Sequence, residues 1–186
     1  EDGRVSNSER PPVRALLMDA DGVVQCPRPG WITEMDALSG VPDFFQVLSA
    51  AERRTLAGEA DLAELVGEIL QARGLSVTFE ELVDVWCRID VDPVTLKFVQ
   101  QAREAGLVTA LTTNQQSYRG AYMQATFGYE ELFDHTFYSF ELGVAKPEPA
   151  YFHAVVDALG IHPEEAVFVD DMRSNVLGAR EAGLRG

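Results

Sequence analysis

Basic residues are scarce in this sequence, which has 15 lysines and arginines against 30 aspartates and glutamates. The resulting formal net charge of −15 argues against nucleic acid as a partner, because nucleic-acid affinity depends on a basic surface. A phosphorylated ligand stays compatible with this charge. A metal ion, one lysine and oriented backbone N–H groups can form a positive site inside an acidic protein.

Cysteine and long apolar runs are also sparse. Cys26 and Cys87 are too few for a disulfide framework, so we expect free thiols and a cytoplasmic location. No segment approaches the roughly 20 apolar residues that span a bilayer, so no membrane partner is expected. Residues 1–12 lack the apolar stretch of a signal peptide and are predicted to form a loose tail.

Strand-like and helix-like patterns alternate in much of the chain. Buried parallel strands are indicated by apolar runs at residues 13–19, 107–113, 135–140 and 165–171. Helices are predicted at residues 92–106, 117–127 and 149–159, and from 174 to about 183. This alternation predicts an α/β fold in which a parallel sheet is connected by right-handed crossovers.

About 90 residues separate the first two predicted strands, which is far more than a crossover needs. Within them, helical patterns occupy residues 42–57, 61–72 and 78–88, the last opened by a capping box at Thr78 and Glu81. We therefore predict a helical cap over residues 26–91, inserted into a discontinuous core of residues 1–25 and 92–186. The sequence ends just after a helix, where such a sheet usually adds a strand, so truncation at this end is one expectation.

Polar clusters follow the four predicted strands. They are Asp19-Ala-Asp21-Gly22, Thr112-Thr113-Asn114, Lys146-Pro147 and Asp170-Asp171. Because the carboxyl ends of parallel strands meet at one edge of a sheet, where ligands bind, these clusters are expected to converge.

The chemistry of the four clusters points to phosphoryl transfer. Four neighbouring carboxylates need a cation between them, and oxygen ligands suit Mg²⁺, whereas the clusters contain no cysteine or histidine. Lys146 would screen the charges, while the Thr113 hydroxyl and the Asn114 backbone N–H would hold phosphoryl oxygens. The predicted ligand is a small phosphorylated metabolite.

Each cluster also has an ordinary structural explanation. Asp19-Ala-Asp21 can be a turn or a cap, Thr113-Asn114 a plain strand end, and Lys146 a solvated loop residue. Asp170-Asp171 can cap the last helix and favour its dipole. Their occurrence together, in this order and at four strand ends, favours the functional interpretation.

The stretches LLMDADGVV, ALTTN, GVAKPEPAYF and AVFVDDMRSNVLGAREAG resemble the four motifs of the haloacid dehalogenase-like (HAD) hydrolase superfamily. The last two are most similar to the subgroup of glucose-1-phosphate phosphatases and the N-terminal phosphatase domain of soluble epoxide hydrolases. The resemblance implies a Rossmann-like core. It also implies a squiggle and flap at residues 23–30 that carry the helical cap.

The resemblance also implies roles for the acidic residues. Asp19 would attack phosphorus and form an aspartyl-phosphate, while Asp21 would protonate the leaving alcohol and then activate water. Mg²⁺ would be held by Asp19, by the Asp21 carbonyl and by Asp171, with Asp170 binding directly or through water. The second aspartate favours phosphate esters over haloacids, because a halide leaves without a proton.

Further candidates surround these groups. By the same resemblance, Ser174 and Asn175 would orient the acidic pair and Lys146. Conceivable substrate contacts are Arg28, Trp31, Arg53, Arg54, Trp86, Tyr118 and Arg119. For Trp86 the favoured interpretation is cap core, and for Arg53 and Arg54 it is a solvated helix face.

The leading hypothesis is a Mg²⁺-dependent phosphatase that acts as a monomer or a homodimer. A sugar phosphomutase would keep all four motifs and differ mainly in its cap. A catalytically silent HAD-like binding module is the third hypothesis, and it predicts that no aspartyl-phosphate forms.

Overall fold

The structure is a computed structural model that describes residues 11–186, so most of the predicted tail lies outside the described residues. The strands are β1 (Ala15–Met18), β2 (Gln25–Pro27), β3 (Ile89–Val91), β4 (Val108–Thr113), β5 (His135–Tyr138) and β6 (Ala166–Val169). Four of them form a parallel sheet in the order β5-β4-β1-β6, and β2 pairs with β3 in antiparallel fashion. The predicted α/β class is confirmed.

Strand β1 lies inside the sheet because all four of its side chains are apolar and buried. Its Leu17 is in register with Ala110 of β4 on one side and with Phe168 of β6 on the other. A strand with neighbours on both edges and helices on both faces is buried on all sides, so its sequence is a continuous hydrophobic run. This places the residue after β1 at the centre of the sheet edge.

Helices cover both faces of the sheet. In chain order the helices outside the insert are α5 (Pro93–Glu104), α6 (Ser117–Phe127), α7 (Tyr129–Leu132), α8 (Ser139–Leu142), α9 (Pro149–Leu159) and α10 (Arg173–Glu181). Ala15 and Leu17 pack with α9 and α10, whereas Leu16 and Met18 pack with α5, α6 and α7. The alternation of side chains along β1 thus builds one apolar cluster on each face.

The insert between β2 and β3 contains α1 (Trp31–Ser39), α2 (Phe44–Glu52), α3 (Leu62–Arg73) and α4 (Phe79–Trp86). These helices pack around an apolar cluster of their own, centred on Met35, Phe44 and Leu48. The capping box of Thr78 and Glu81 is confirmed at the start of α4. The division of the chain at residues 26 and 91 stays a prediction.

Several predicted bounds are wrong in detail. The helix predicted over residues 42–57 ends at Glu52, and α1 was not predicted. The strand predicted over residues 135–140 ends at Tyr138. There the Ser139 hydroxyl bonds with the backbone of Gln115, at 3.0 Å from its N–H and 3.2 Å from its carbonyl, and the chain turns into α8.

The last described residues rejoin the sheet. Arg185 forms a parallel bridge with Val167 of β6, through hydrogen bonds of 3.0 Å to the Ala166 carbonyl and 2.7 Å from the Phe168 N–H. Cys26 and Cys87 are free, as predicted. Among the described helices, none has the length and apolar character required to cross a bilayer.

Candidate active site

The four polar clusters meet at the carboxyl edge of the sheet. Asp19 directly follows β1, Thr113 closes β4 and Asp170 directly follows β6. Lys146 comes from the loop between α8 and α9 and reaches β4, where its Nζ donates to the Thr112 carbonyl at 2.9 Å. The predicted convergence is therefore present in the structure.

Lys146 is buried between two carboxylates. Its side chain is fully inaccessible, and its Nζ lies 2.7 Å from Asp19 Oδ1 and 2.7 Å from Asp170 Oδ2. A buried ammonium requires such partners, because desolvation of an unpaired charge is costly. The interpretation of Lys146 as a solvated loop lysine is excluded by this position.

Asp19 combines burial with two hydrogen-bond donors. Only 6% of the residue is exposed, and its Oδ1 accepts the Ala20 N–H at 2.8 Å in addition to the Lys146 ammonium. Burial raises the pKa of Asp19 to about 7, since the nearby Lys146 charge only partly offsets desolvation and the charge of Asp170 adds to it. A cation close to Asp19 would favour its ionised form.

Asp19 and two further carboxylates form an acidic cluster. Ligand oxygens of Asp19, Asp170 and Asp171 all lie within 4.8 Å of one another. An all-oxygen donor set of this kind fits Mg²⁺ and gives no soft ligand for a thiolate-binding metal. The side chain of Asp21 lies outside this cluster, so its predicted metal contact rests on the backbone carbonyl and stays a prediction.

The acidic pair after β6 is oriented by its own loop and helix. Asn175 Nδ2 donates to both oxygens of Asp170, at 3.1 and 3.0 Å, and the Met172 N–H donates to Oδ1 at 2.8 Å. Asp170 thus fixes the turn before α10, whose N-cap is Met172 and has no side-chain cap bond, and it also contacts Lys146. Ser174 is exposed, and within residues 11–186 its hydroxyl makes no hydrogen bond to the acidic pair.

Gly22 allows the loop after β1 to approach Asp171. It adopts a φ of +82°, and a Cβ at this position would lie 2.5 Å from Asp171 Oδ2. Any other residue would be strained there and would displace the carboxylate.

Asn114 and Thr113 line the same edge and fix its loops. The Asn114 side chain brackets the Lys146 backbone, donating to its carbonyl at 2.8 Å and accepting its N–H at 2.9 Å. The buried Thr113 hydroxyl accepts from Gln115 Nε2 at 3.1 Å. The structure therefore brings both predicted phosphate-binding residues beside Lys146.

Asp21 is held by Arg119, which the sequence indicates only as a possible substrate contact. Arg119 Nη1 and Nη2 lie 2.5 and 2.6 Å from the two Asp21 oxygens. Gln115 and Gln25 add donors at 2.7 and 3.0 Å. Burial opposes ionisation of Asp21, but the Arg119 charge and these hydrogen bonds outweigh it and hold its pKa below the usual range.

Arg119 also connects the sheet edge to the insert. It is 4% exposed, and it donates to Gln115 Oε1 at 2.7 Å and to the Trp86 carbonyl at 3.4 Å. No local signal in the sequence links these residues, because Gln115 precedes Gln116, the N-cap of α6, and Gln25 is an isolated polar residue of the flap.

Replacing Arg119 with lysine is expected to lower the free energy of unfolding by about 1.5–3 kcal/mol, because a point charge cannot replace the two-pronged contact with Asp21. Urea denaturation measures this loss. The loss should shrink to less than half in an Asp21→Asn background, since the partner charge is then absent.

The matched control is Arg173→Lys, at an exposed position of α10, which should change the free energy of unfolding by less than about 0.5 kcal/mol. Equal losses for Arg119→Lys in both backgrounds would show that the contact with Asp21 is not what stabilises Arg119.

A cavity of about 270 Å³ opens between this edge and the insert. It is lined by Asp21, Asn114 and Arg119 from the sheet side, and by Pro27, Trp31, Phe45, Glu52, Leu56 and Trp86 from the flap and insert. Arg28 instead pairs with Asp90 at the surface, Arg53 and Arg54 are exposed, and Tyr118 bonds to Asp61. Of the predicted substrate contacts, Trp31, Trp86 and Arg119 thus line the cavity.

Glu52 was not identified from the sequence, where it reads as an ordinary glutamate at the end of a helix. Burial raises the pKa of Glu52 to about 7, although the charge of Arg119 acts in the opposite direction. A carboxyl with a shifted pKa at the wall of a cleft is a candidate functional group.

A family model described as haloacid dehalogenase-like hydrolase matches residues 13–183. The chain belongs to this family. A HAD family enzyme, BT-2542 from Bacteroides thetaiotaomicron, has a structure with a TM-score of 0.82 and 25% identity, covering 94% of this chain and 92% of that one. The same enzyme has been solved as a complex with magnesium and inorganic phosphate, at 26% identity and a TM-score of 0.79.

Curated relatives of this HAD-like hydrolase have names of phosphatases. A phosphoserine phosphatase from Thermus thermophilus is 35% identical over 53% of this chain and 40% of its own length. Phosphoglycolate phosphatase 1 from Pseudomonas aeruginosa is 30% identical over 72% of this chain and 48% of its own length. The chain thus spans less than half the length of these relatives.

Proposed function

We propose that this HAD-like hydrolase is a Mg²⁺-dependent phosphatase that cleaves a small phosphorylated metabolite through an aspartyl-phosphate on Asp19. The observation that carries the proposal is the position of Asp19, which is buried at the centre of the sheet edge. It lies 2.7 Å from the Lys146 ammonium and within one acidic cluster with Asp170 and Asp171. The phosphatase names of the relatives and the magnesium and phosphate complex of the Bacteroides enzyme support it.

In the first step, a carboxylate oxygen of Asp19 attacks phosphorus while the bond from phosphorus to the alcohol oxygen breaks. Lys146 is close enough to Asp19 to stabilise the charge that develops on the phosphoryl oxygens. The Thr113 hydroxyl and the Asn114 N–H supply further donors from the end of β4. The leaving alkoxide takes a proton from Asp21.

In the second step, Asp21 removes a proton from water, and the water oxygen attacks the phosphorus of the aspartyl-phosphate while the bond from phosphorus to the Asp19 oxygen breaks. Inorganic phosphate leaves, and the Asp19 carboxylate is restored. The ion pair with Arg119 favours the ionised form of Asp21, which is the form that this step needs. In the first step Asp21 must carry the proton. Hydrolysis of esters of acidic alcohols should therefore depend least on Asp21, because the alkoxide of such an alcohol leaves without a proton.

Asp19, Asp170, Asp171 and the Asp21 carbonyl would hold Mg²⁺, which would neutralise phosphoryl charge when bound. The helical insert, as a cap, would exclude bulk water from Asp19. The cavity between the insert and the sheet edge would then receive the alcohol part of the substrate.

The test is phosphate release from phosphoserine, phosphoglycolate, glucose 1-phosphate and p-nitrophenyl phosphate. We expect turnover of at least one of them with Mg²⁺, and a fall of at least about 100-fold when EDTA removes the metal, since metal-assisted charge stabilisation contributes several kcal/mol. Folded protein that releases no phosphate from any ester would contradict the proposal. Formation of an isomerised sugar phosphate in place of phosphate would favour a mutase instead.

A further inference from the structure

We infer that the alcohol part of the substrate carries an ammonium group, which is bound by Glu52 and by the aromatic rings of Trp31, Phe45 and Trp86. This inference rests on the proposed phosphatase function, because it assigns the alcohol part of the ester to the cavity beside Asp21.

The charges that line the cavity favour a cation. Asp21, Arg119 and Glu52 are its ionisable groups. Arg119 is already paired with both oxygens of Asp21, so its charge is not free for a substrate. Glu52, in contrast, forms no ion pair with any side chain of residues 11–186. An ammonium group would give this carboxylate a partner, whereas a second carboxylate would be repelled.

The aromatic side chains supply the second feature of a cation site. The Trp31 and Phe45 rings lie 4.4 Å apart at 76°, and the Phe45 and Trp86 rings lie 5.9 Å apart at 82°. Perpendicular rings present π-faces in different directions, and those faces attract ammonium groups, including quaternary ones. The three rings come from α1, α2 and α4, so the helices of the insert bring them to one wall.

The size of the cavity limits the alcohol. Its volume of about 270 Å³ is small for a ligand pocket, and Pro27 and Leu56 close parts of the wall. A short amino alcohol suits this space better than a nucleoside. The competing ligand is a hydroxy acid bound by Arg119, but its carboxylate would have to displace Asp21 from contacts of 2.5 and 2.6 Å.

Two pairs of esters with the same shape and different charge test the inference. Phosphocholine is compared with 3,3-dimethylbutyl phosphate, and phosphoethanolamine with propyl phosphate, all with Mg²⁺ present. We expect kcat/KM to favour the ammonium ester at least about tenfold in one or both pairs, on the scale of one charged contact. Phosphoglycolate should be a poorer substrate than the preferred ammonium ester.

Variants of Glu52 test whether this residue causes the preference for the ammonium ester. Glu52→Gln should reduce the ratio of kcat/KM within the preferred pair to below about threefold, because the amide keeps the shape and loses the charge. Glu68→Gln, at an exposed position of α3 outside the cavity, should retain the wild-type ratio. Glu52→Asp provides a second variant that keeps the charge, and it should retain part of the preference.

The outcomes separate this inference from the function on which it rests. Hydrolysis of the neutral and ammonium esters at equal rates, or a preference for phosphoglycolate, would overturn the ammonium site and leave the phosphatase in place. An unchanged ratio in Glu52→Gln would also overturn the assignment. If no ester of any kind is hydrolysed, the proposed function itself fails and the ammonium site fails with it.

Discussion

Replacing Asp19 with asparagine is expected to reduce phosphate release by at least about 10⁴-fold, the scale on which loss of a covalent nucleophile acts. An amide in this position keeps the size of the side chain and cannot form an acyl phosphate. The measurement is release of inorganic phosphate from the best ester at saturating Mg²⁺, with native circular dichroism as evidence of an intact fold.

The same variant has an expected effect on stability. Burial raises the pKa of Asp19 to about 7 from an ordinary value of 3.8. In EDTA, which removes metal, the free energy of unfolding of the wild type should therefore fall as pH rises from about 4 to 7 and Asp19 ionises. Asparagine does not ionise. The free energy of unfolding of the variant, relative to wild type, should therefore increase over this pH window.

The control for Asp19→Asn is Asp157→Asn, at an exposed position of α9, which should keep full activity. If Asp19→Asn kept more than about 1% of wild-type turnover, Asp19 would not be the nucleophile. If the difference in the free energy of unfolding between Asp19→Asn and wild type were constant from pH 4 to pH 7, the pKa of Asp19 would not be raised in the folded state.

Replacing Lys146 with methionine is expected to lower the free energy of unfolding by about 3–5 kcal/mol, the usual cost of removing one partner of a buried ion pair. The reason is that Asp19 and Asp170, whose side chains are buried, would both lose their ammonium contact at 2.7 Å. Phosphate release should fall below detection, because no other lysine or arginine contacts Asp19 in the described structure.

The pH dependence of the Lys146→Met loss identifies its cause. Protonation of a carboxylate relieves the unpaired charge, so the loss measured by urea denaturation should be smaller at pH 5 than at pH 8. Lys97, the chain's other lysine, is exposed on α5, and Lys97→Met should change stability by less than about 0.5 kcal/mol. A pH-independent loss would point to packing instead of charge.

The parallel sheet could be predicted because β1 and β6 are continuous apolar runs and its main helices have clear ends. Helices α6 and α9 have the predicted bounds, since each is followed by a glycine in the left-handed conformation. Helix α1 also ends at a left-handed glycine, Gly40, but its start has no clear signal in the sequence. It starts after Gly30 without a side-chain cap, and the one-turn helices α7 and α8 are too short for a periodic pattern.

Most of the predicted site residues could be found because they close a strand, follow one or lie in a loop at the sheet edge. What surrounds them could not, because it depends on long-range contacts. Arg119 meets Asp21 across 98 residues, and Glu52 reaches the cavity only through the packing of α2 in the insert. No local pattern encodes such pairs. The charged residues of the site could therefore be predicted from the sequence, but the contacts that set their pKa values could not.

The candidate site has two parts, the sheet edge and the helical insert. In the proposed mechanism, the sheet edge would supply the nucleophile, together with the buried lysine and the acidic cluster that would hold the phosphoryl group. The insert supplies Glu52 and the aromatic wall, which face the cavity that adjoins Asp21. If both proposals hold, reaction type and substrate choice depend on different residues, which the variants above can separate.

The most direct measurement is the identity of the phosphorylated residue during turnover. The protein is mixed with a ³²P-labelled ester and Mg²⁺, quenched in acid within milliseconds, and reduced with borohydride, which converts an aspartyl-phosphate to homoserine. Peptide mapping should find homoserine at position 19 and nowhere else. Homoserine at another aspartate, or a full catalytic cycle without any labelled protein, would contradict nucleophilic catalysis by Asp19.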